Sequence, residues 1–218
     1  MPTRSESQIV NLDGWTLRVR RSDFPAPRVL LLIHGRTGDE NSMWIFVRNF
    51  PANYWIVAPR APHPTRPGGF SWLPPSSLHG QEAALKDFRP SAEALTKIFD
   101  RHATQNGLNL RELAVLGFSE GAAMAITLAL MDPGRVGRLG ILSGFVPGGA
   151  EELLASRPLA GKPVFVAHGT RDELVGVDRA RQSVRRLQRA GALVTLCEAE
   201  IGHKVSSDCL RALETFFA

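Results

Sequence analysis

A serine flanked by two glycines is the best candidate nucleophile in this chain. Residues 117–121 read GFSEG, the pattern G-x-S-x-G with Ser119 at its centre. The apolar run Leu113–Phe118 before it is typical of a buried strand, and the Ala-rich segment after it is typical of a helix. Strand, sharp turn and helix together make a nucleophile elbow, in which the glycines leave room for a strained turn. A serine that caps a helix fits the same residues, although a cap does not require both glycines.

A serine hydroxyl needs a base, because it is a weak nucleophile at neutral pH, and the base needs a third group to orient it. In folds with this elbow the chain order is nucleophile, acid, histidine. Four of the six histidines precede Ser119, which leaves His168 and His203. Asp172 follows His168 and precedes His203, so the order predicts His203 as the base.

The predicted acid is Asp172, which comes just after a predicted strand, where active-site residues of open α/β sheets collect. The stretch from Asp172 to His203 has room for the helix and strand that this order requires. Asp178 is a weaker candidate, because a helix begins there and its dipole favours a carboxylate in the first turn. Glu173, the neighbour of Asp172, stays open as a substitute.

Two backbone NH groups must face the oxygen that becomes negative in a tetrahedral intermediate. One predicted donor is the NH of Glu120, directly after the nucleophile. The other is the NH of Arg36, in the glycine-flanked segment that follows the predicted strand Arg28–Ile33.

Large apolar side chains in loops near these residues are expected to form the wall that contacts the acyl group. Plain packing in the core explains each of them as well. The candidates are Phe70, Trp72, Leu73, Phe145 and Val146.

Short apolar, β-branched runs alternate with helical stretches, which indicates repeated βα units and a mostly parallel sheet flanked by helices. Strands are predicted at 15–20, 28–33, 54–58, 113–118, 136–142, 163–167 and 192–199. Helices are predicted at 41–50, 91–105, 120–131, 177–190 and 206–217. An antiparallel hairpin is expected at the start. We expect one domain over 1–218 without a cap domain, because the residues between Leu142 and Lys162 suffice only for a loop or short helix.

The composition argues against several classes of partner. The net charge is +5, but the arginines between 179 and 189 have spacings that suit the wet face of a helix, and no aromatic residue lies among them. A nucleic-acid site is therefore not expected.

The longest apolar run, near 122–131, is too short for a membrane span. No signal-like stretch is visible, so we expect a cytoplasmic protein whose two cysteines, Cys197 and Cys209, are free thiols.

Several short motifs together resemble the carboxylesterase/phospholipase family of α/β-hydrolases, which includes the acyl-protein thioesterases. The resemblance implies the α/β-hydrolase fold, a Ser119, Asp172, His203 triad and an oxyanion hole from the NH groups of Arg36 and Glu120. The chain departs from the family in having Glu120 where glutamine is usual and Gly176 where proline is common. The matching residues are Ile33-His34-Gly35, Gly38-Asp39, Ala58-Pro59-Arg60, Ser71-Trp72, residues 117–121, His168-Gly169, Asp172 and Gly202-His203.

The predicted function is a serine carboxylesterase that acts on a small-molecule ester or thioester. Acyl-thioesterase, lysophospholipase and peptidase activities stay open, as does a catalytically silent interaction protein on the same scaffold. A cofactor-binding module is disfavoured, because neither G-x-G-x-x-G nor a P-loop lysine is present. No cofactor is expected, and the scattered histidines predict no metal site. The sequence does not indicate an oligomeric state.

Overall fold

The centre of the fold is a sheet of eight strands, seen in a computed structural model that describes residues 6–78 and 83–218. The main-sheet strands are β1 (Gln8–Leu12), β2 (Trp15–Arg20), β3 (Arg28–Ile33), β4 (Tyr54–Pro59), β7 (Leu113–Phe118), β8 (Val136–Leu142), β9 (Pro163–Gly169) and β10 (Leu193–Ala199). Between β4 and β7, β5 (His63–Pro64) and β6 (Phe70–Ser71) form a small separate hairpin.

The main sheet has the order β1-β2-β4-β3-β7-β8-β9-β10. Its first two strands form an antiparallel hairpin, and β2 pairs antiparallel with β4. From β4 to β10 every neighbouring pair is parallel. The mostly parallel sheet and its opening hairpin are therefore confirmed.

Helices cover both faces of this sheet. They are α1 (Leu85–Gln105), α2 (Glu120–Met131), α3 (Glu151–Ala155), α4 (Val177–Arg189) and α5 (Ser207–Phe217), with short 3₁₀ helices at Ser42–Val47 and Pro75–Leu78. Alternate residues of β3 enter two separate cores, since successive side chains of a strand point to opposite faces. Leu31 packs with α1, α2 and α4, whereas Leu32 packs with the first 3₁₀ helix and α5.

Two helix predictions need correction. Residues 41–50, predicted as an α-helix, form a 3₁₀ helix only over Ser42–Val47, where bulky aromatic and β-branched side chains disfavour longer regular helix. The helix predicted from residue 91 begins at Leu85 and contains Pro90. Its start is fixed because the Asp87 carboxylate accepts from the NH of Ala84 at 2.8 Å, and the NH of Leu85 donates to the carbonyl of Gly148.

The expectation of free thiols is wrong. A disulfide joins Cys197 in β10 to Cys209 in α5, whose Cα atoms lie 5.7 Å apart, inside the range that a disulfide spans. The expectation rested on cellular compartment, whereas the bond depends on how α5 packs beside β10. The enclosed loop contains His203.

Helix α4 shows how the basic residues are accommodated. Its arginines include Arg181, which pairs with Glu198 at 2.8 Å, and Arg186, which pairs with Glu151 at 2.7 Å. The opposite stripe of the helix is buried and consists of Ala180, Ser183, Val184 and Leu187. Within the described ranges, no helix is both long and apolar enough to cross a membrane.

Candidate active site

Ser119 lies on the sharp turn between β7 and α2, with φ 54° and ψ −119°. A residue other than glycine in this region of backbone space is strained by about 1–3 kcal/mol, and such strain clusters at functional sites. Neither neighbouring glycine of the motif tolerates a side chain. A Cβ on Gly117 would clash with the backbone of Gly121, and one on Gly121 would clash with the backbone of Ile33 and His34. The close packing of β7, α2 and the end of β3 therefore requires the two glycines and holds the serine in its turn.

His203 and Asp172 form a hydrogen-bonded pair. The Nδ1 atom of His203 lies 2.7 Å from Oδ2 of Asp172, whose side chain is fully buried, while 16% of the His203 side chain is exposed. The loops that carry them are tied together, since the NH of Arg171 donates to the carbonyl of Ile201 at 3.0 Å. This geometry makes Nδ1 the donor and leaves Nε2 free to act as a base.

The other carboxylate oxygen of Asp172 accepts hydrogen bonds from the NH groups of Leu174 and Val175, both at 2.9 Å. Burial by itself raises the pKa of Asp172, but the bonds from Val175, His203 and Leu174 outweigh it and hold the pKa below its ordinary value. His168 supports the same turn, because its Nε2 donates to the carbonyl of Val175 at 2.8 Å. Asp172 is therefore a preorganised carboxylate that stays ionised in weak acid.

Ser119 and His203 line the same cavity, and the ring of His203 lies 5.1 Å from that of Phe118, centroid to centroid. Among the described residues, no hydrogen bond joins the Ser119 hydroxyl to the imidazole of His203. Such bonds are often long in unliganded enzymes and tighten when substrate binds.

Two backbone NH groups next to Ser119 are available to a ligand. The NH of Glu120 is at the first position of α2, where no intrahelical acceptor exists. In the loop after β3, the NH of Thr37 donates to Phe70 and that of Gly38 to Gly35, at 2.9 and 3.0 Å. In the described part of the chain, the NH of Arg36 has no such protein acceptor. Among the described residues, the two NH groups named in the oxyanion prediction both lack a protein acceptor, which is compatible with that prediction.

The loop after β3 is supported by a buried histidine. The Nε2 of His34 accepts from the NH of Ala61 at 3.0 Å, so its Nδ1 donates to the carbonyl of Gly35 at 2.7 Å. Burial lowers the pKa of His34, which keeps the ring neutral. The Trp72 indole donates to the His34 carbonyl at 2.8 Å. These bonds fix the path of the chain directly before Arg36.

The cavity above Ser119 has a volume of about 1060 Å³ and walls that are mostly apolar. Of the five side chains predicted for its wall, Leu73 and Phe145 line it. The structure does not bring the other three into the wall. Trp72 and Val146 are buried in the core, and Phe70 packs under the guanidinium of Arg60.

Sequence reasoning missed several wall residues. Leu174, which is 75% exposed, comes two positions after Asp172, and Phe118 is the first variable residue of the G-x-S-x-G motif. The available signal was their place in the sequence, since both are apolar residues close to a candidate catalytic residue at the end of a strand. The further apolar lining residues are Met43, Ile45, Phe46, Ala83, Phe88, Val175 and Val205.

No group of three or more His, Cys, Asp or Glu side chains within residues 6–78 and 83–218 is arranged to hold a metal ion. The cavity also has ionisable side chains in its lining, namely Arg36, Glu120, Arg179, His203 and Lys204. Glu120 is the acidic residue among them; it is 7% exposed, and its carboxylate accepts hydrogen bonds from Ser71 and Trp72.

The sheet order, the elbow after β7 and the acid and histidine loops after β9 and β10 define the α/β-hydrolase fold. The chain belongs to the phospholipase/carboxylesterase family, whose model matches residues 16–218. Among curated proteins, acyl-protein thioesterase 1 of Eremothecium gossypii is 29% identical over 170 residues, covering 72% of each chain.

Solved structures confirm the fold. A carboxylesterase from Mesorhizobium loti superposes with a TM-score of 0.80 at 24% identity, covering 96% of this chain and 97% of that one. The carboxylesterase of Bacillus cereus gives a TM-score of 0.83 at 20% identity and covers 94% of both chains.

Proposed function

We propose that this chain is a serine hydrolase that cleaves carboxylic esters through an acyl-enzyme on Ser119. The observation that carries the proposal is the convergence on one apolar cavity of the strained serine and the 2.7 Å His203–Asp172 pair. Family membership supports it, because the curated relatives bear the names of thioesterases and carboxylesterases. A silent scaffold would have no need to keep the serine strained and the carboxylate fully buried.

In the proposed reaction, Nε2 of His203 takes the proton of Ser119 as the serine oxygen attacks the ester carbonyl. Asp172 holds the imidazole in the required tautomer and stabilises the imidazolium that forms. The NH groups of Arg36 and Glu120 donate to the oxyanion. The imidazolium then gives its proton to the leaving alcohol, and a water molecule repeats the sequence to release the acid.

The cavity supports substrates with an apolar acyl group. Leu73 and Phe145 line it together with the side chains of α1 and the first 3₁₀ helix, and the mouth carries the exposed Ile45 and Leu174. Thioesters are the second substrate class, favoured by the named activity of the Eremothecium relative. The same triad cleaves them, since only the leaving atom differs.

The proposal is tested with a fluorophosphonate probe and a panel of acyl esters and thioesters of increasing chain length. We expect one adduct, on Ser119, and no turnover or labelling by Ser119→Ala. Ser143→Ala is the matched control, because Ser143 also has positive φ (46°) and follows the neighbouring strand β8. It should still take up the label. An adduct elsewhere, or substantial turnover by Ser119→Ala, would refute the assignment.

A further inference from the structure

The side chain of Glu120 is a buried carboxylate that the proposed reaction does not use. It belongs to the first turn of α2 at the edge of the cavity, and the residue is 7% exposed. Its Oε1 accepts from the NH of Trp72 at 2.7 Å and from the hydroxyl of Ser71 at 2.9 Å. The Ser71 hydroxyl in turn accepts from the NH of Leu73 at 3.0 Å. One carboxylate therefore organises the whole segment 71–73.

The same segment is bonded to the loop that carries Arg36. Phe70 exchanges two backbone hydrogen bonds with this loop, from the NH of Thr37 and to the carbonyl of Gly38, both at 2.9 Å. Contact continues at Gly69, where a Cβ would clash with the backbone of Thr37. The neighbouring NH of Arg36 has no protein acceptor among residues 6–78 and 83–218. A shift of residues 70–73 would therefore move this NH.

We propose that the Glu120 carboxylate is a positioning residue that sets the separation of the two oxyanion donors. One donor is the backbone NH of Glu120 itself. The other, on Arg36, is held through segment 70–73, which the carboxylate binds. This inference rests on the proposed serine-hydrolase function. It gives the side chain of Glu120 a part in transition-state binding without contact to the substrate.

Charge and burial favour this role over simple packing. A buried carboxylate is costly unless its oxygens are satisfied, and here they accept directional bonds from one short segment. Burial raises the pKa of Glu120, while the bonds from Trp72 and Ser71 and the nearby charge of Arg36 oppose the rise. A methylene-rich side chain would fill the space without fixing the segment. The NH of Trp72 and the hydroxyl of Ser71 would then lose their acceptor.

The test compares Glu120→Ala with Glu120→Gln, which keeps an acceptor oxygen for the NH of Trp72. Loss of one oxyanion donor costs roughly 100- to 1000-fold in turnover, so a displaced donor in the alanine variant should cost roughly 10- to 100-fold in kcat with little change in KM. The glutamine variant should stay within about fivefold of wild type, the scale of one neutral hydrogen bond. Affinity for a trifluoromethyl ketone, which forms a tetrahedral adduct, should fall in parallel with kcat/KM.

Two further variants separate positioning from damage to the fold. Thr127→Val is the matched control, because Thr127 lies in the same helix, is fully buried and donates to the carbonyl of Ala123 away from the cavity. It should keep wild-type kcat. Ser71→Ala removes one of the bonds to Glu120, and its loss should not multiply with that of Glu120→Ala if both act through one segment. The Ser71 variant also serves if Glu120→Ala does not fold.

All rates are divided by the number of sites that the fluorophosphonate titrates. The inference is overturned if Glu120→Ala keeps wild-type kcat per titrated site, or if its loss leaves the affinity for the ketone unchanged. It is also overturned if the effects of the Ser71 and Glu120 variants multiply independently. A wild-type chain that takes up no probe and cleaves no ester would instead overturn the proposed function, which distinguishes the two failures.

Discussion

Replacing Asp172 with asparagine tests the proposed acid most directly, because the structure fixes how the new amide must lie. One carboxylate oxygen accepts from the NH groups of Leu174 and Val175, and these donors retain the asparagine oxygen at that position. The amide nitrogen then faces Nδ1 of His203, where the second carboxylate oxygen lay at 2.7 Å. Since that nitrogen donates, Nδ1 must accept, and the proton of the neutral ring moves to Nε2. A protonated Nε2 cannot take the proton of Ser119.

The magnitude follows from this change of tautomer. Asparagine at the acid position of a serine triad lowers kcat by about 10⁴ with the geometry otherwise intact. That loss corresponds to about 5.4 kcal/mol in the activation free energy. The fixed amide orientation gives no reason for a smaller loss here, because rotation of the amide would leave two backbone NH groups facing an NH₂.

The assay measures kcat with an activated acyl ester at weakly alkaline pH, and fluorophosphonate titration counts the competent sites. Glu173→Gln is the matched control, since Glu173 is the exposed neighbour of Asp172 in the same loop. We expect it to change kcat by less than about threefold, as surface substitutions seldom matter much. The reasoning is refuted if Asp172→Asn keeps more than about a tenth of wild-type kcat, a loss below 1.4 kcal/mol. Abolished turnover in Glu173→Gln would reassign the acid.

Three further outcomes are expected. Replacing Cys197 and Cys209 by alanine should lower the free energy of unfolding by about 3 kcal/mol, because the disulfide closes a loop of sequence separation 12. In calorimetry, Tm should fall by about 6–12 °C. An unchanged Tm would contradict the disulfide. Burial raises the pKa of Glu120 in the folded state above its ordinary value of 4.5, so the wild type loses stability as pH rises through these two pKa values. Glu120→Gln has no such ionisation, and its Tm relative to wild type should therefore climb over that pH range. A pH-independent difference in Tm would contradict the raised pKa. Leu73→Ala should shift acyl-chain preference by about 1–3 kcal/mol in kcat/KM, whereas Trp72→Phe should lower Tm and leave the preference unchanged.

The sequence was sufficient for the positions of the main strands and for a mostly parallel sheet, because each central strand is a short apolar run buried on both faces. Residues 28–33 and 113–118 form strands with the predicted bounds. The chemistry-bearing residues follow directly from such strands, as Ser119 follows β7 and Asp172 follows β9 by three positions. The fold prediction is confirmed on these grounds. The catalytic roles of the two residues stay predictions, although Ser119 lines the same cavity as His203, which is hydrogen-bonded to Asp172.

The cavity wall could not be predicted, because the direction of an apolar loop side chain depends on contacts with distant elements. Trp72 and Leu73 are adjacent and both apolar. The indole of Trp72 turns inward because its NH finds the carbonyl of His34, and Leu73 consequently faces the cavity. The disulfide escaped prediction for a similar reason, since it depends on the packing of α5 beside β10.

Close backbone contacts join the start of α2 to the loop that carries Arg36. Gly121 packs against the backbone of Ile33 and His34, so the start of α2 is pressed against the loop that carries Arg36. The carboxylate of Glu120 reaches the same loop by a second route, through segment 70–73. Two connections between the same pair of elements leave little freedom for the distance between the two NH groups that we propose as oxyanion donors. A small shift in either element would misplace the proposed donors relative to the Ser119 oxygen, and we expect the rate to fall even though the proposed triad itself is intact.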